Sequence, residues 1–213
     1  MNWKELLQSV ADTEKQGTRY AFLLGAGASI SSGIKGAADL TKRWLEQVKE
    51  NNIDEYKKIA ERTEYKKGDF AALYSEVYSA RFPDPADGRL AIEKIMCDKK
   101  VWPSVGYSIL AQVMGKTRHN LALTTNFDRL IETALFTYQN IHAKVIAHET
   151  LLDVIALDDT YPSIAKVHGD MFLKPKSDPG GVKVLNRKWQ CIVGKVLAIT
   201  ISLLLAMEGG TTG

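Results

Sequence analysis

The run Tyr20-Ala21-Phe22-Leu23-Leu24, stopped at once by Gly25-Ala26-Gly27-Ala28-Ser29, constrains this chain more than any other feature. Five consecutive apolar residues without alternation suit a strand buried on both faces, the habit of parallel sheets. Parallel neighbours need long crossover connections, usually helical, so strands must be separated by helical segments. Further strand signals stand at Leu121-Ala122-Leu123-Thr124, around 143–147 and at 163–167, and 127–138 reads as a helix leaving the second strand. From about 37 to 115 the pattern is mostly helical and amphipathic, as in Leu40, Trp44, Leu45 and Val48, then Phe70, Leu73, Tyr74 and Val77. Pro83-Asp84-Pro85-Ala86-Asp87-Gly88 interrupts it as a loop. Strand, long helical stretch, strand, helix, strand is the order of an α/β sheet carrying a helical insertion subdomain, here at about 38–116.

A length of 213 residues fits a single domain, 1–213, with room for a real core. The net charge of +3 is too small, and its basic residues too dispersed, to argue for nucleic acid. Lys57-Lys58, Lys66-Lys67 and Lys99-Lys100 read as solvated faces. Cys97 and Cys191 are the two cysteines; with no Cys-x-x-Cys pair, a zinc ribbon is excluded on ligand count. A reduced, cytoplasmic setting is expected. Residues 2–15 carry Trp3, Leu6, Leu7 and Val10 at helical spacing rather than an apolar signal segment, and 174–181 is a turn-rich loop.

Three segments that each follow a strand carry the chemistry. Glycine at 25 and 27 lets a backbone approach a phosphate, and free amides at a helix start favour anions; Ser29, Ser31 and Ser32 add hydroxyls. Neither the Gly-x-Gly-x-x-Gly fingerprint nor a Walker loop is met, since Ile30 occupies the third glycine position and no Gly-Lys-Ser/Thr follows. A tight turn without ligand is the competing account. In Thr124-Thr125-Asn126-Phe127-Asp128, an amide and a carboxylate can position a water or sugar hydroxyls, or simply cap a helix. In Val167-His168-Gly169-Asp170, an imidazole at a strand end suits general base work, or a satisfied structural role. His119, His142 and His148 have no such setting and read as surface or structural.

Gly-Ala-Gly-Ala-Ser with a following Ser-Gly-Ile, then Thr-Thr-Asn-Phe-Asp-Arg-Leu-Ile-Glu, then His-Gly-Asp, in this order, resembles the sirtuin-like superfamily. The likeness is greatest to the zinc-free prokaryotic domains of anti-phage defence proteins, and it covers roughly 18–190. It implies a Rossmann-like parallel sheet with helices on both faces and the helical insertion. It further implies that Gly25, Ala26, Gly27 and Ser29 line an NAD phosphate and ribose pocket. Asn126 would stand beside the nicotinamide ribose, Asp128 would contact or organise the ribose site, and His168 would be the catalytic histidine. The implied reaction cleaves the nicotinamide–ribose bond through an oxocarbenium-like ribose, giving nicotinamide and ADP-ribose. The implied partners are NAD⁺, further copies of the chain and a phage-derived or regulatory trigger, with no nucleic acid, membrane or zinc.

Two departures bear on this. Deacetylating sirtuins carry a four-cysteine zinc module and Asp-Phe-Arg after the first loop, whereas here Gly33-Ile34 is followed by Lys35-Gly36-Ala37, with Asp39 the nearest acidic substitute. NAD⁺ hydrolysis is therefore favoured over deacylation or ADP-ribosyl transfer. An NAD or ADP-ribose sensor without turnover, and an interaction domain whose helical insert drives assembly, are rival readings of the same residues. After about residue 190 the family pattern would supply a strand ending in a glycine-rich nucleotide loop. The chain instead reads Ile201-Ser202-Leu203-Leu204-Leu205-Ala206-Met207-Glu208-Gly209-Gly210. Back-translated one nucleotide earlier, this end can encode Val/Ile-Gly-Tyr-Gly-Gly, one further residue for which the code allows glycine, and then Asn-Asp-Gly, so a frame change between about Trp189 and Ile201 is one reading. A genuine apolar strand or helix is the other; a membrane span needs about 18 apolar residues and is interrupted by Lys195.

Overall fold

β1 (Tyr20–Leu24), β2 (Leu121–Thr124), β3 (Lys144–Ile146), β4 (Ser163–Lys166) and β5 (Ile201–Leu205) form one sheet in the spatial order β3-β4-β2-β1-β5. Every neighbouring pair is parallel. The computed structural model describes residues 19–148 and 161–170 without interruption, with Glu5, Gln8, Asp12, Leu151, Arg187, Trp189, Gln190, Cys191, Gly194 and the backbone of 201–205. Most of the helix expected at 2–15, the loop at 174–181 and the tail beyond 205 lie outside the described residues. The fold is α/β and Rossmann-like, as the uninterrupted apolar runs predict.

All four residues of β2 and of β4 are buried, and β1 is buried except at Leu23. One core cluster joins Ala21, Leu121, Leu123, Ile146, Ala165, Val167 and Trp189. Trp189 is 1% exposed. Burying a large apolar side chain contributes about 1.5–3 kcal/mol. Residues Ile201–Leu205 of the apolar segment near the end form β5, the strand of the second reading of this tail, paired along β1 from Tyr20↔Ile201 to Leu24↔Leu205.

The described chain clusters into two compact units. The sheet unit also contains α1 (Gly27–Ile30), α7 (Val105–Lys116) and α8 (Leu130–Gln139). α7 buries Tyr107, Leu110, Ala111 and Met114 at helical spacing and packs against α8. The helix leaving β2 starts at Leu130 rather than at 127, because the Asp128 carboxylate accepts from the Leu130 amide and makes 125–129 a capping turn.

The second unit spans 33–101 and holds α2 (Ala37–Asn51), α3 (Ile53–Ala60), α4 (Thr63–Lys67), α5 (Tyr74–Arg81) and α6 (Pro85–Met96). The helical body therefore ends at Val101, and α7 belongs with the sheet rather than with it. In α2, Leu40, Trp44, Leu45 and Val48 form the buried stripe. Trp44 packs edge-on against Tyr78 and Phe82, with Tyr74 alongside. The loop expected at 83–88 is shorter than its composition suggests. Pro85 opens α6 at a position where its missing N–H leaves no bond unmade, and Asp84 caps the helix through the Ala86 amide at 2.8 Å.

Candidate functional site

Strand register aligns the three chemistry-bearing segments. Leu24 pairs with Thr124, and Thr124 with Lys166, so one row crosses β1, β2 and β4 at their carboxyl ends. The ladder continues one residue further, with the Thr125 amide on Leu24 O at 3.2 Å and the Val167 amide on Thr124 O at 3.0 Å. Ala26, Asn126 and His168 each stand two residues past that row, in the turns that leave β1, β2 and β4. The chain leaving β2 goes to β3 on one side, and the chain leaving β4 goes to β5 on the other. A reversal of this kind marks the crevice where open α/β sheets take ligands.

A closed set of hydrogen bonds fixes the β1 and β2 segments to each other. Ser29, 2% exposed, donates to Asp128 Oδ2 at 2.7 Å. With its proton engaged there, its oxygen accepts from Asn126 Nδ2 at 3.0 Å and from the Tyr107 hydroxyl at 3.1 Å, which fills its hydrogen-bonding capacity. The other Asn126 Nδ2 hydrogen goes to Gly25 O at 2.9 Å. Because a carbonyl can only accept, that bond fixes which way the amide is turned. Oδ1 is left as the group's remaining polar atom, on a half-buried residue, and among the described residues no donor reaches it. The Asn126 amide in turn donates to Thr124 Oγ1, whose hydroxyl donates to Leu24 O.

Asp128 is buried, and its two oxygens accept from Ser29 and from the Leu130 amide. Of the two roles open to it from sequence, contact or organisation, this geometry suits organisation. Burial, with the Asp128 carboxylate nearby, pushes the Tyr107 phenol well above its usual range.

The glycine-rich turn differs from the expected helix start. α1 is a single turn, and the amides of Ala28 and Ser29 are engaged by Gly25 O and Ala26 O. What remains at this turn is space: a Cβ placed on Gly25 would meet nothing within 4 Å. The protein's own packing therefore does not require glycine there.

His168 is half-buried in the turn after β4, which closes with the Gly169 amide on Lys166 O at 3.1 Å. Gly169 has φ +89°, a conformation that disfavours side chains. Beneath it lies Lys166, fully buried, whose ammonium reaches Asp170 Oδ2 and Glu132 Oε1, each at 2.7 Å, and donates to Asp128 O. Arg129 Nε lies 3.7 Å from the same Glu132 oxygen. Burial raises the Glu132 carboxyl above its ordinary range, against the lowering effect of Lys166.

Sequence reading does not single out Tyr107, Glu132 or Lys166. The signal that could have found one of them is a lone lysine inside the apolar run Ser163-Ile164-Ala165-Lys166-Val167. His119 is structural, fully buried and accepting the Tyr20 amide at Nδ1; His142 and His148 are exposed. Asp39 lies exposed on the first turn of α2. Cys97 and Cys191 are exposed thiols. Among the described residues, no group of three or more His, Cys, Asp or Glu side chains could hold a metal ion, and no helix is long and apolar enough to cross a membrane. No protein-family model matches the chain, and no curated protein matches it.

Proposed function

We propose that this chain is a zinc-free, sirtuin-like domain that hydrolyses NAD⁺ to nicotinamide and ADP-ribose, acting in the cytoplasm as an anti-phage defence effector. Its partners are then NAD⁺, further copies of itself and a phage-derived or regulatory trigger. One observation carries this reading: Ala26, Asn126 and His168 each follow one strand row by two residues, with the Asn126 amide held so that Oδ1 is its remaining acceptor. The residues fit a dinucleotide in two further respects. The open space beside Gly25 suits close approach of a phosphate to the backbone, and the crevice sits where the strand order reverses.

In the overall reaction the nicotinamide–ribose bond breaks, water adds to the ribose carbon, and one proton is released. Asn126 Oδ1 accepts a hydrogen bond from that water or from a ribose hydroxyl and so holds it in place. His168 takes the proton. Ser29 and Asp128 act on the substrate only through Asn126 and the loop, because their polar atoms are already engaged inside the protein.

Nicotinamide release from NAD⁺ by the full chain, across a range of protein concentrations, tests the proposal. Asn126→Ala and His168→Ala should each lower the rate by about 10²–10⁴-fold with the fold retained. Tight ADP-ribose binding with no release at any concentration points to a sensor and sinks the hydrolase reading. Release that requires an acetylated peptide points to deacylation and sinks it equally.

A further inference from the structure

We infer that Lys166 is a positioning residue that ties the loop after β2 to the loop after β4 and so sets Asn126 against His168; this rests on the reading of those two residues as the reacting pair. Lys166 lies on β4, in register with Thr124, and is 0% exposed. Its neighbours along the strand, Ile164, Ala165 and Val167, are the apolar residues that such a position ordinarily takes.

A buried ammonium is costly to desolvate, and apolar replacements of buried ion networks often leave stability unchanged or higher, so stability alone is a poor account of it. What an ammonium supplies, and an apolar side chain does not, is three donors. Here the ammonium meets three different segments: it donates to Asp128 O in the β2 loop and to Asp170 in the β4 loop, and pairs by charge with Glu132 on the first turn of α8. The two loop anchors are placed symmetrically. Asp128 lies two residues past Asn126, and Asp170 two residues past His168. Either loop can shift independently of the other only by breaking a charge-assisted bond to the same nitrogen.

The test compares the wild-type full chain with Lys166→Met and with the neutral triple variant Lys166→Met/Glu132→Gln/Asp170→Asn. The triple variant also neutralises the two carboxylates that Lys166 pairs with, so neither is left buried without its counter-ion, and it keeps the question open to experiment even where Lys166→Met fails to fold. Amide hydrogen exchange is followed in 125–130 and 167–170 against β1 and β2, alongside kcat and KM for NAD⁺.

The expected result for the triple variant is exchange about tenfold or more faster in both loops, with β1 and β2 within about twofold of wild type. Its kcat falls about tenfold or more while KM changes by less than about threefold, the signature of misaligned reacting groups rather than lost binding. Wild-type exchange in both loops, acceleration in only one, or equal acceleration of β1 and β2 overturns the inference. So does unchanged kcat in a variant whose loops have loosened. If the wild-type chain releases no nicotinamide, the hydrolase reading fails, and the exchange comparison alone then decides the tie between the loops.

Discussion

The bond between Ser29 and Asp128 gives the sharpest quantitative expectation. Ser29 Oγ donates to a buried carboxylate at 2.7 Å, with the two residues 99 apart in sequence, so it staples the first loop to the second. Hydrogen bonds to charged groups contribute about 1.5–3 kcal/mol net. Ser29→Ala removes that bond and also takes an acceptor from Asn126 Nδ2 and from the Tyr107 hydroxyl. Asn126 keeps its bond to Gly25 O, so the single substitution should cost about 2–4 kcal/mol in total. Asp128→Ala removes the same bond from the other side, together with the cap on Leu130. A double-mutant cycle cancels those extra losses and isolates the pair, which should couple by about 1.5–3 kcal/mol. Hydrogen exchange of the β2 amides reads the stability of the sheet unit by itself, and the coupling corresponds to about a 10- to 150-fold factor in opening. A coupling below about 0.5 kcal/mol would refute the bond and the account of Ser29 as framework rather than ligand contact.

Gly25→Ala should leave thermal stability within about 0.5 kcal/mol of wild type, since the added methyl enters open space, yet weaken NAD⁺ binding in calorimetry. Gly88→Ala should behave in the opposite way. Its Cβ would lie 2.2 Å from the Tyr78 hydroxyl, and overpacking of this kind costs about 1–3 kcal/mol, read as exchange of α5 and α6 amides. Raised pKa values of Tyr74 and Tyr107, caused chiefly by burial, set an alkaline limit. Below about pH 10 the folded and unfolded chains both keep these protons; above it the unfolded chain releases them first, so stability falls by about 1.4 kcal/mol per pH unit for each tyrosine. Tyr107→Phe should flatten that decline in the sheet unit, and an unchanged slope in urea unfolding at about pH 10–11 would count against the burial of its phenol.

The strands are legible because each is a short apolar run with a polar or glycine stop: Tyr20–Leu24 and Leu121–Thr124 declare themselves without reference to anything distant. The start of α8 is not, because Phe127 and Asp128 continue the helical spacing, and only the bond from the Leu130 amide to the Asp128 side chain reveals that a turn comes first. The candidate site divides along the same line. Asn126, Asp128 and His168 are visible as polar residues at strand ends, while Tyr107 reads as one more apolar-face residue of an amphipathic helix. Lys166 and Glu132 become legible only once strand register and the α8 turn are known, because the lysine stands 38 residues from the Asp128 carbonyl it serves.

The base of the helical unit has a consequence for how the sheet is assembled. Ser32 O accepts the Trp102 amide at 3.1 Å, and Ser32 Oγ accepts the Ser104 amide at 3.0 Å. Immediately inside, Gly33 adopts φ +94°, with Lys100 O 3.3 Å from where a side chain would begin. The chain therefore leaves the sheet unit and returns to it across one backbone hydrogen bond. Thr124 and Leu24 are 100 residues apart, a long loop to close before β1 and β2 can pair. Closing the base first shortens that loop to roughly a third, which lowers the entropy cost by about 1 kcal/mol. To the sheet, residues 33–101 amount to a hairpin-width interruption, so they can vary in size or sequence without disturbing the register that sets Gly25 beside Asn126.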